Sequence, residues 1–298
     1  MSTPKHNYAS FKIDSPVEFE TVAALFDSSW VFRGQENSKW DISTSMERDD
    51  TRLERGHFAD FEAFSIEQIK AYEPHDECQL SPVSDHFSLL ALLQHHGCIT
   101  RLVDFTESIK VALYFAYREA PKKGNDIAEG AIWAIKQEAL KTKVAAIINQ
   151  QVPNADIDAE SRNLINRSIE KSLSRQKDEC KELAILFGKP AIPNPRMLVQ
   201  RGLFLAPLNL KYDFKNNLTD GLNLSGNYEP VLRLRYLEDV SAALLTEQVI
   251  KILLPKTFRK KVLHYLQEQD ITEKMLFPGF DGYIRNLNYE TRWMENVL

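Results

Sequence analysis

Three groups of polar side chains interrupt apolar stretches of the sequence, and they contain residue types that bind anions or move protons. The first group is Arg33-Gly34-Gln35, which ends the apolar run WVFRGQ. An arginine in an apolar strand is costly to bury unless its N–H donors meet a carboxylate, a phosphate or carbonyl oxygens. Gly34 leaves space for a second backbone segment or a ligand. The group therefore predicts either a structural ion pair or an anion-binding arginine.

The second group lies between two apolar segments in LLQHHGCITRLVDFTESIKVALYFA, a pattern typical of the lip of a pocket. Its polar side chains are Gln94, His95, His96, Thr100, Arg101, Asp104 and Thr106. Simpler interpretations are also open, because Arg101 and Asp104 could pair with each other, and Thr106 and Ser108 could cap the next helix.

The third group is NPRMLVQRGLFLAP, which predicts a strand with Gln200, Gly202 and Phe204 on one side. It fits either a site or a plain core strand with a glutamine at its edge. Buried polar groups need partners or a ligand. We therefore expect one concave pocket that is lined by Arg33, Gln94, His95, Arg101, Asp104, Thr106 and Gln200.

Other kinds of site are not indicated. The sequence has no GxSxG, HExxH, GxGxxG or Walker A motif, and its three cysteines form no CxxC pair. We expect no metal site and no standard nucleophile. The formal net charge of −5 argues against a strongly basic surface over the whole chain. The apolar runs are too short to span a bilayer and the first residues lack the plan of a signal peptide, so we expect a cytoplasmic protein without membrane contact.

The elements that must position these groups follow from capping residues and periodicity. Ser15 and Glu18 predict one helix start, Ser108 predicts another, and Gly97 predicts a helix end. The charged stretch at about 156–181 predicts an exposed helix. Strands are predicted near Arg33, Ala131, Gln200, Leu232 and Ile250. Helices and strands mix without a βαβ rhythm, which favours an α+β fold with a central, mostly antiparallel sheet flanked by helices.

In this order the groups resemble the FRG domain family, which is named for a motif that Phe32-Arg33-Gly34 matches. QHHGCITRLVDFTESIKVALYFA resembles the family's central block, RMLVQRGLFL resembles a later segment, and QDITEKMLFPGFDGYIRNL resembles its close. Asp270 stands where glycine is more usual. The resemblance covers about Trp30 to Leu287. It implies a helical lead-in at 1–29 and an FRG domain at 30–290, with a charged helical insertion at about 156–181.

A more distant resemblance, to mono-ADP-ribosyltransferases, implies a chemistry and an ADP-ribosyltransferase-like fold. These enzymes place Arg-Gly at the end of an early strand, a Ser/Thr-rich strand before a helix, and Glu or Gln on a late strand. The residues then implied for binding NAD are Arg33, Gly34, Gln94, Thr100, Arg101 and Thr106. An arginine can hold the pyrophosphate of NAD with two hydrogen bonds. This resemblance implies no metal.

The catalytic candidates are His95, Asp104 and Gln200. In such transferases a carboxylate stabilises the oxocarbenium-like state that forms as the nicotinamide bond breaks. Position 200 is Gln, and Gly202 stands where these enzymes usually carry a catalytic Glu. Asp104 is therefore the carboxylate that the motifs offer.

Three functions stay open. The first is an NAD-consuming ADP-ribosyltransferase-like enzyme that modifies a protein or nucleic acid, as a toxin or phage-defence effector with an antitoxin or immunity partner. The second is a non-enzymatic module in which Arg33 and Arg101 hold a phosphate or nucleotide. The third is a metal-independent nuclease with His95 as general base.

Overall fold

The strands form one sheet. The computed structural model describes residues 8–13, 15–48, 53–72, 85–118, 129–148, 156–176, 180–224, 232–233, 237–280, 282–284 and 286–287. Within these ranges the strands are β1 (Ala9–Lys12), β2 (Trp30–Gln35), β3 (Val103–Thr106), β4 (Glu129–Lys136), β5 (Ile185–Gly188), β6 (Gly202–Pro207), β7 (Leu232–Arg233) and β8 (Val249–Pro255). Their order across the sheet is β5-β6-β3-β2-β4-β8-β1-β7.

The sheet is mostly antiparallel. Among the described strands, only the pairs that β1 makes with β7 and β8 are parallel, and the other five pairs are antiparallel. The expectation of an α+β fold with a central, mostly antiparallel sheet is confirmed.

Helices cover both faces of this sheet. They are α1 (Pro16–Ala23), α2 (Phe58–Ala71), α3 (His86–His95), α4 (Ile109–Tyr117), α5 (Gln137–Ile148), α6 (Ile157–Leu173), α7 (Pro195–Val199), α8 (Phe214–Gly221), α9 (Leu237–Thr246), α10 (Arg259–Glu268) and α11 (Glu273–Leu276). Short 3-10 helices lie at Ser45–Glu47, Arg55–His57 and Lys256–Phe258.

Alternation along the strands divides the buried side chains into two apolar cores. In β2, Trp30 and Phe32 join the core that contains α4, whereas Val31 joins the core that contains α3 and α6. In β8, Ile250 and Val249 divide in the same way. Side chains that alternate in direction along a strand produce this result.

Helix α4 packs against β2 and is capped at both ends. Ser108 is its N-cap, and the Ser108 hydroxyl accepts a hydrogen bond from the amide of Val111 at 3.4 Å. At the other end, the Nζ of Lys256 donates to the carbonyl of Ala116, and the Nε of Arg259 donates to that of Tyr117 at 2.8 Å. Cations that bind the last carbonyls of a helix satisfy groups without a partner inside the helix. The predicted start at Ser108 is confirmed, as is the start at Ser15.

Several expectations about elements are wrong. Gln200 does not lie on a strand, because Asn194 caps and Pro195 begins helix α7, and Gln200 follows its last residue. The lead-in is not only helical, since it also contributes β1. Helix α6 is not simply exposed: its inner face buries Ile165 and Ile169.

Gly34 is required by the close approach of α4. A Cβ atom at position 34 would lie 1.9 Å from the carbonyl oxygen of Ala112 and 2.7 Å from the amide nitrogen of Ala116. Both are backbone atoms of the helix, so neither can move aside as a flexible side chain would. Of the two uses expected for Gly34, the approach of another backbone segment is the one present.

We expect Gly34→Ala to lower the free energy of unfolding by at least about 3 kcal/mol, the upper end of the usual cost of overpacking. Urea unfolding of the purified variant measures this. Gly56→Ala is the matched control, because a Cβ at Gly56 meets no atom within 4 Å. That control should change stability by less than about 1 kcal/mol. Equal effects of the two substitutions would contradict the packing argument.

The junction between the described strands β2 and β3 is short. These strands pair at Phe32 and Thr106, whereas β2 and β4 pair at six positions. Arg33 follows Phe32 directly, and its Nη1 donates to the carbonyl of Asp104 on β3 at 2.7 Å. Two of the predicted polar groups therefore meet at this junction.

Candidate active site

A cleft of about 810 Å³ lies beside the end of β2. The cations that line it are Arg33, Lys39, Arg48 and Arg118. The carboxylates that line it are Glu36, Asp41 and Glu47. This size is that of a small-molecule site.

Arg33 is only partly satisfied by the protein. Its Nη1 donates to the carbonyl oxygen of Asp104 at 2.7 Å, and its buried Nε has no hydrogen-bond partner among the described residues. Burial, the largest cause, lowers the pKa of Arg33 below its ordinary value; Asp104 opposes this shift, and the charge of Arg48 adds to it. An anion that binds at Arg33 would favour its charged form.

Glu47 serves the fold. Its Oε2 accepts from the amide of Thr44 at 2.7 Å, and its Oε1 accepts from the amide of Phe214 at 2.8 Å and from Arg55 at 3.2 Å. A carboxylate with these backbone partners holds the loop after β2 against α8. It is therefore poorly suited to a catalytic role, in which a carboxylate must exchange its hydrogen-bond partners.

Asp104 presents an exposed carboxylate to a neighbouring cavity of about 100 Å³. The Nε2 of Gln94 donates to its Oδ2 at 3.0 Å. The hydroxyl of Thr100 donates to the Oε1 of Gln94, and the amide of Leu102 donates to that hydroxyl oxygen at 3.1 Å. Because Gln94 receives on one side and donates on the other, its amide orientation is fixed. Thr100 is fully buried and is linked to Asp104 through Gln94. Its side chain is therefore not accessible to a ligand in the cavity.

His95 lines the same small cavity, together with Arg196. The Nδ1 of His95 lies 3.4 Å from the Nδ2 of Asn194. Partial burial lowers the pKa of His95 below its ordinary value, and the charges of His96 and Arg196 lower it further. This shift favours the neutral form of the imidazole, which is the form that a general base needs.

Thr106 and Gln200 connect β3 to the last segment of the site. The hydroxyl of Thr106 donates to the carbonyl of Gln200 at 2.6 Å and accepts from the amide of Ser108 at 3.0 Å. The Nε2 of Gln200 donates to the carbonyl of Leu276 at 2.9 Å. Gln200 still lines the small cavity, although it does so from the end of α7.

The expectation of one shared pocket is wrong, because Arg33 lines the cleft while Gln94, His95, Asp104 and Gln200 line the small cavity. Thr106 and Arg101 are buried and line neither of the two.

The side chain of Arg101 is fully buried, and its Nε lies 2.8 and 2.9 Å from the two carboxylate oxygens of Glu62. Its Nη2 also donates to the hydroxyl of Ser168 at 3.3 Å. The nearby Asp104 is not its partner. Arg101 forms a structural ion pair between α2, α6 and the segment before β3.

Residues 28–125 match the model of the FRG domain family. The chain contains an FRG domain. The match includes Phe32-Arg33-Gly34 and the whole central block of the sequence, so the family prediction is confirmed. Searches of curated proteins and of solved structures returned no match. The resemblance to ADP-ribosyltransferases stays a prediction.

The motif that gives the FRG domain its name has three separate structural uses. Phe32 packs in the core with α4, Arg33 lies at the cleft, and Gly34 admits the backbone of α4. Adjacent side chains on a strand point to opposite faces, which explains why Phe32 and Arg33 have such different surroundings.

The two later segments that resemble the family fold against the matched region. The Gln200–Leu276 hydrogen bond joins them. Asp270 has a φ of 58°, in the left-handed region that favours glycine, which agrees with the expectation that glycine is more usual there. The first of these segments also contacts the matched region, because the hydroxyl of Thr106 donates to the carbonyl of Gln200.

Several residues at the rims of the two cavities were not predicted from the sequence. The ring of Phe277 lies between two guanidinium groups, 4.7 Å from that of Arg118 and 4.5 Å from that of Arg196. Arg118 lines the cleft and Arg196 lines the small cavity, so Phe277 connects their rims. The signal for Arg118 was its place directly after the apolar segment VALYFAY. No comparable signal marked Arg48.

Two further findings concern the described residues. In the described ranges, no group of three or more His, Cys, Asp or Glu side chains is arranged to hold a metal ion. The same part of the chain contains no helix that is both long enough and apolar enough to cross a membrane.

Proposed function

We propose that the FRG domain binds a phosphate-bearing nucleotide in the cleft beside Arg33 and acts on NAD as an ADP-ribosyltransferase-like enzyme. The observation that carries the proposal is Arg33 itself. Within the part of the chain that the structure describes, its buried Nε has no hydrogen-bond partner, and the cleft that it lines also contains Lys39, Arg48 and Arg118. A buried N–H donor among cations favours an anionic ligand, and a pyrophosphate accepts hydrogen bonds from a guanidinium.

Asp104 is the proposed catalytic carboxylate. Its backbone carbonyl accepts from Arg33, and its exposed carboxylate, which Gln94 orients, faces the small cavity that neighbours the cleft. In the proposed reaction the bond from the ribose C1′ to the nicotinamide nitrogen breaks, and nicotinamide leaves with the electron pair. The negative charge of Asp104 stabilises the cationic sugar. A nucleophile of the target then bonds to C1′ and loses its proton to the solvent or to Asp104.

The test is to incubate the pure protein with NAD and a cell lysate, and to measure free nicotinamide and labelled macromolecules. We expect both products from the unaltered protein. Asp104→Asn should keep NAD binding and lower the rate by about 100-fold or more. Asp60→Asn is the control, because Asp60 is an exposed carboxylate that lines a different cavity. Absence of both products would overturn the enzymatic proposal, and binding without turnover would favour the sensor module.

A metal-independent nuclease is the second candidate, since His95, whose pKa is lowered mainly by burial, lies in the small cavity with Asp104 and Arg196. Cleavage of RNA or DNA in the presence of a chelator, lost in His95→Ala, would support it. Full cleavage by His95→Ala would exclude His95 as its base.

We further propose that the protein acts in the cytoplasm as a toxin or phage-defence effector with an antitoxin or immunity partner. The support is indirect, because consumption of NAD would stop growth. Induced expression should then arrest cells, and Asp104→Asn should not.

A further inference from the structure

Trp40 presents an exposed indole ring at the proposed nucleotide site. Its side chain is 47% exposed and lines the cleft that Arg33 and Arg48 also line. By contrast, Trp30 and Trp133 are buried at 2% and 3%. A large aromatic ring that is exposed to water does not contribute the free energy that burial of its apolar surface would provide. The position therefore suits a ring that a ligand covers.

The backbone that carries Trp40 is anchored to the sheet, although the ring is exposed. The carbonyl of Trp40 accepts from the Nζ of Lys251 at 3.5 Å, and the carbonyl of the next residue, Asp41, accepts from Gln35 at 3.3 Å. Gln35 is itself held by the indole N–H of Trp133 at 2.7 Å. The backbone that carries the exposed ring is therefore held in place by hydrogen bonds.

Lys251 anchors the backbone of Trp40 from within the sheet. It is almost fully buried on β8, and its Nζ lies 4.3 Å from the centre of the Trp133 ring. Burial, the largest cause, lowers the pKa of Lys251 to about 8, and Asp41 opposes this shift. A buried ammonium is retained only where partners compensate for lost water, and here those partners hold the segment of Trp40.

We infer that Trp40 is the platform on which the base of the bound nucleotide stacks. Arg33 and Trp40 lie in one cleft of about 810 Å³, which can hold phosphates and a base together. Every nucleobase has a π-face that an aromatic side chain can cover. The inference rests on the proposed function for the phosphate site, and it adds which residue of the cleft binds the base of the nucleotide.

The test compares ADP with inorganic pyrophosphate by calorimetry, because only ADP carries a base. We expect Trp40→Ala to weaken ADP binding roughly 10-fold or more and to leave pyrophosphate binding unchanged within about 3-fold. Trp40→Phe should retain most of the affinity, since phenyl rings also stack. Tyr212→Ala is the matched control, because Tyr212 is equally exposed at 47% but lines a different cavity.

Fluorescence gives a second measurement. ADP should quench the emission of the exposed indole in the unaltered protein, and Trp40→Phe should abolish that quenching while ADP still binds. Equal ADP affinity in Trp40→Ala and in the unaltered protein, with binding still lost in Arg33→Ala, would overturn this inference alone. Failure of both ADP and pyrophosphate to bind the unaltered protein would overturn the phosphate site, and the stacking platform with it.

Discussion

Arg101→Ala is expected to lower the free energy of unfolding by about 3–5 kcal/mol, because it leaves the carboxylate of Glu62 buried and unpaired. Both side chains are almost completely buried, at 0% and 1% exposed. Chemical denaturation of the purified variant measures the loss.

Two further variants make this prediction specific to the charge pair. Glu62→Ala should cost a similar amount, since it strands the guanidinium of Arg101 instead. The double variant Glu62→Met/Arg101→Met should be more stable than either alanine variant, because it removes both charges and fills the space. An Arg101→Ala protein as stable as the unaltered one would show that the pair does not support the core.

Arg33→Ala is expected to have the opposite profile. It should weaken binding of NAD or ADP by about 30-fold or more, because it removes charge-assisted hydrogen bonds to the phosphates. The free energy of unfolding should fall by less than about 2 kcal/mol, since Arg33 makes one hydrogen bond to a carbonyl and leaves its Nε unpaired. Calorimetry and urea unfolding on the same sample measure both quantities.

Arg33→Lys separates geometry from charge at this position. An ammonium keeps the charge but cannot make two parallel hydrogen bonds, so we expect the variant to recover little of the lost affinity. Full recovery would show that charge alone matters. Severe unfolding of Arg33→Ala, comparable with Arg101→Ala, would instead make Arg33 a structural residue.

The sequence predicted elements well where local chemistry decided them. Ser15 and Ser108 begin helices as their capping potential indicates, and Gly97 ends one with a φ of 88°. Asn194 and Pro195 likewise cap and begin α7. The spacing of Gln200, Gly202 and Phe204 predicts a strand through all three residues, but the strand begins only at Gly202, because the residues before it belong to the end of this helix.

The site was harder to predict, because its contacts join distant parts of the chain. Nothing near Arg101 indicates that its partner is Glu62, which is 39 positions earlier and belongs to the pattern of a charged helix. Asp104, three positions away, was the nearer choice. Residue types at a motif predict that an arginine needs a partner, but only the fold, which brings Glu62 of α2 to Arg101, determines which arginine receives that carboxylate.

Arg33 also takes part in the junction between β2 and β3, because its Nη1 donates to the carbonyl of Asp104 at 2.7 Å. The register of these two strands gives one residue pair, Phe32 and Thr106, so this side-chain hydrogen bond adds to a short backbone contact. A phosphate that recruits the guanidinium competes with that hydrogen bond. Binding at Arg33 should therefore weaken one of the contacts that join β2 to β3.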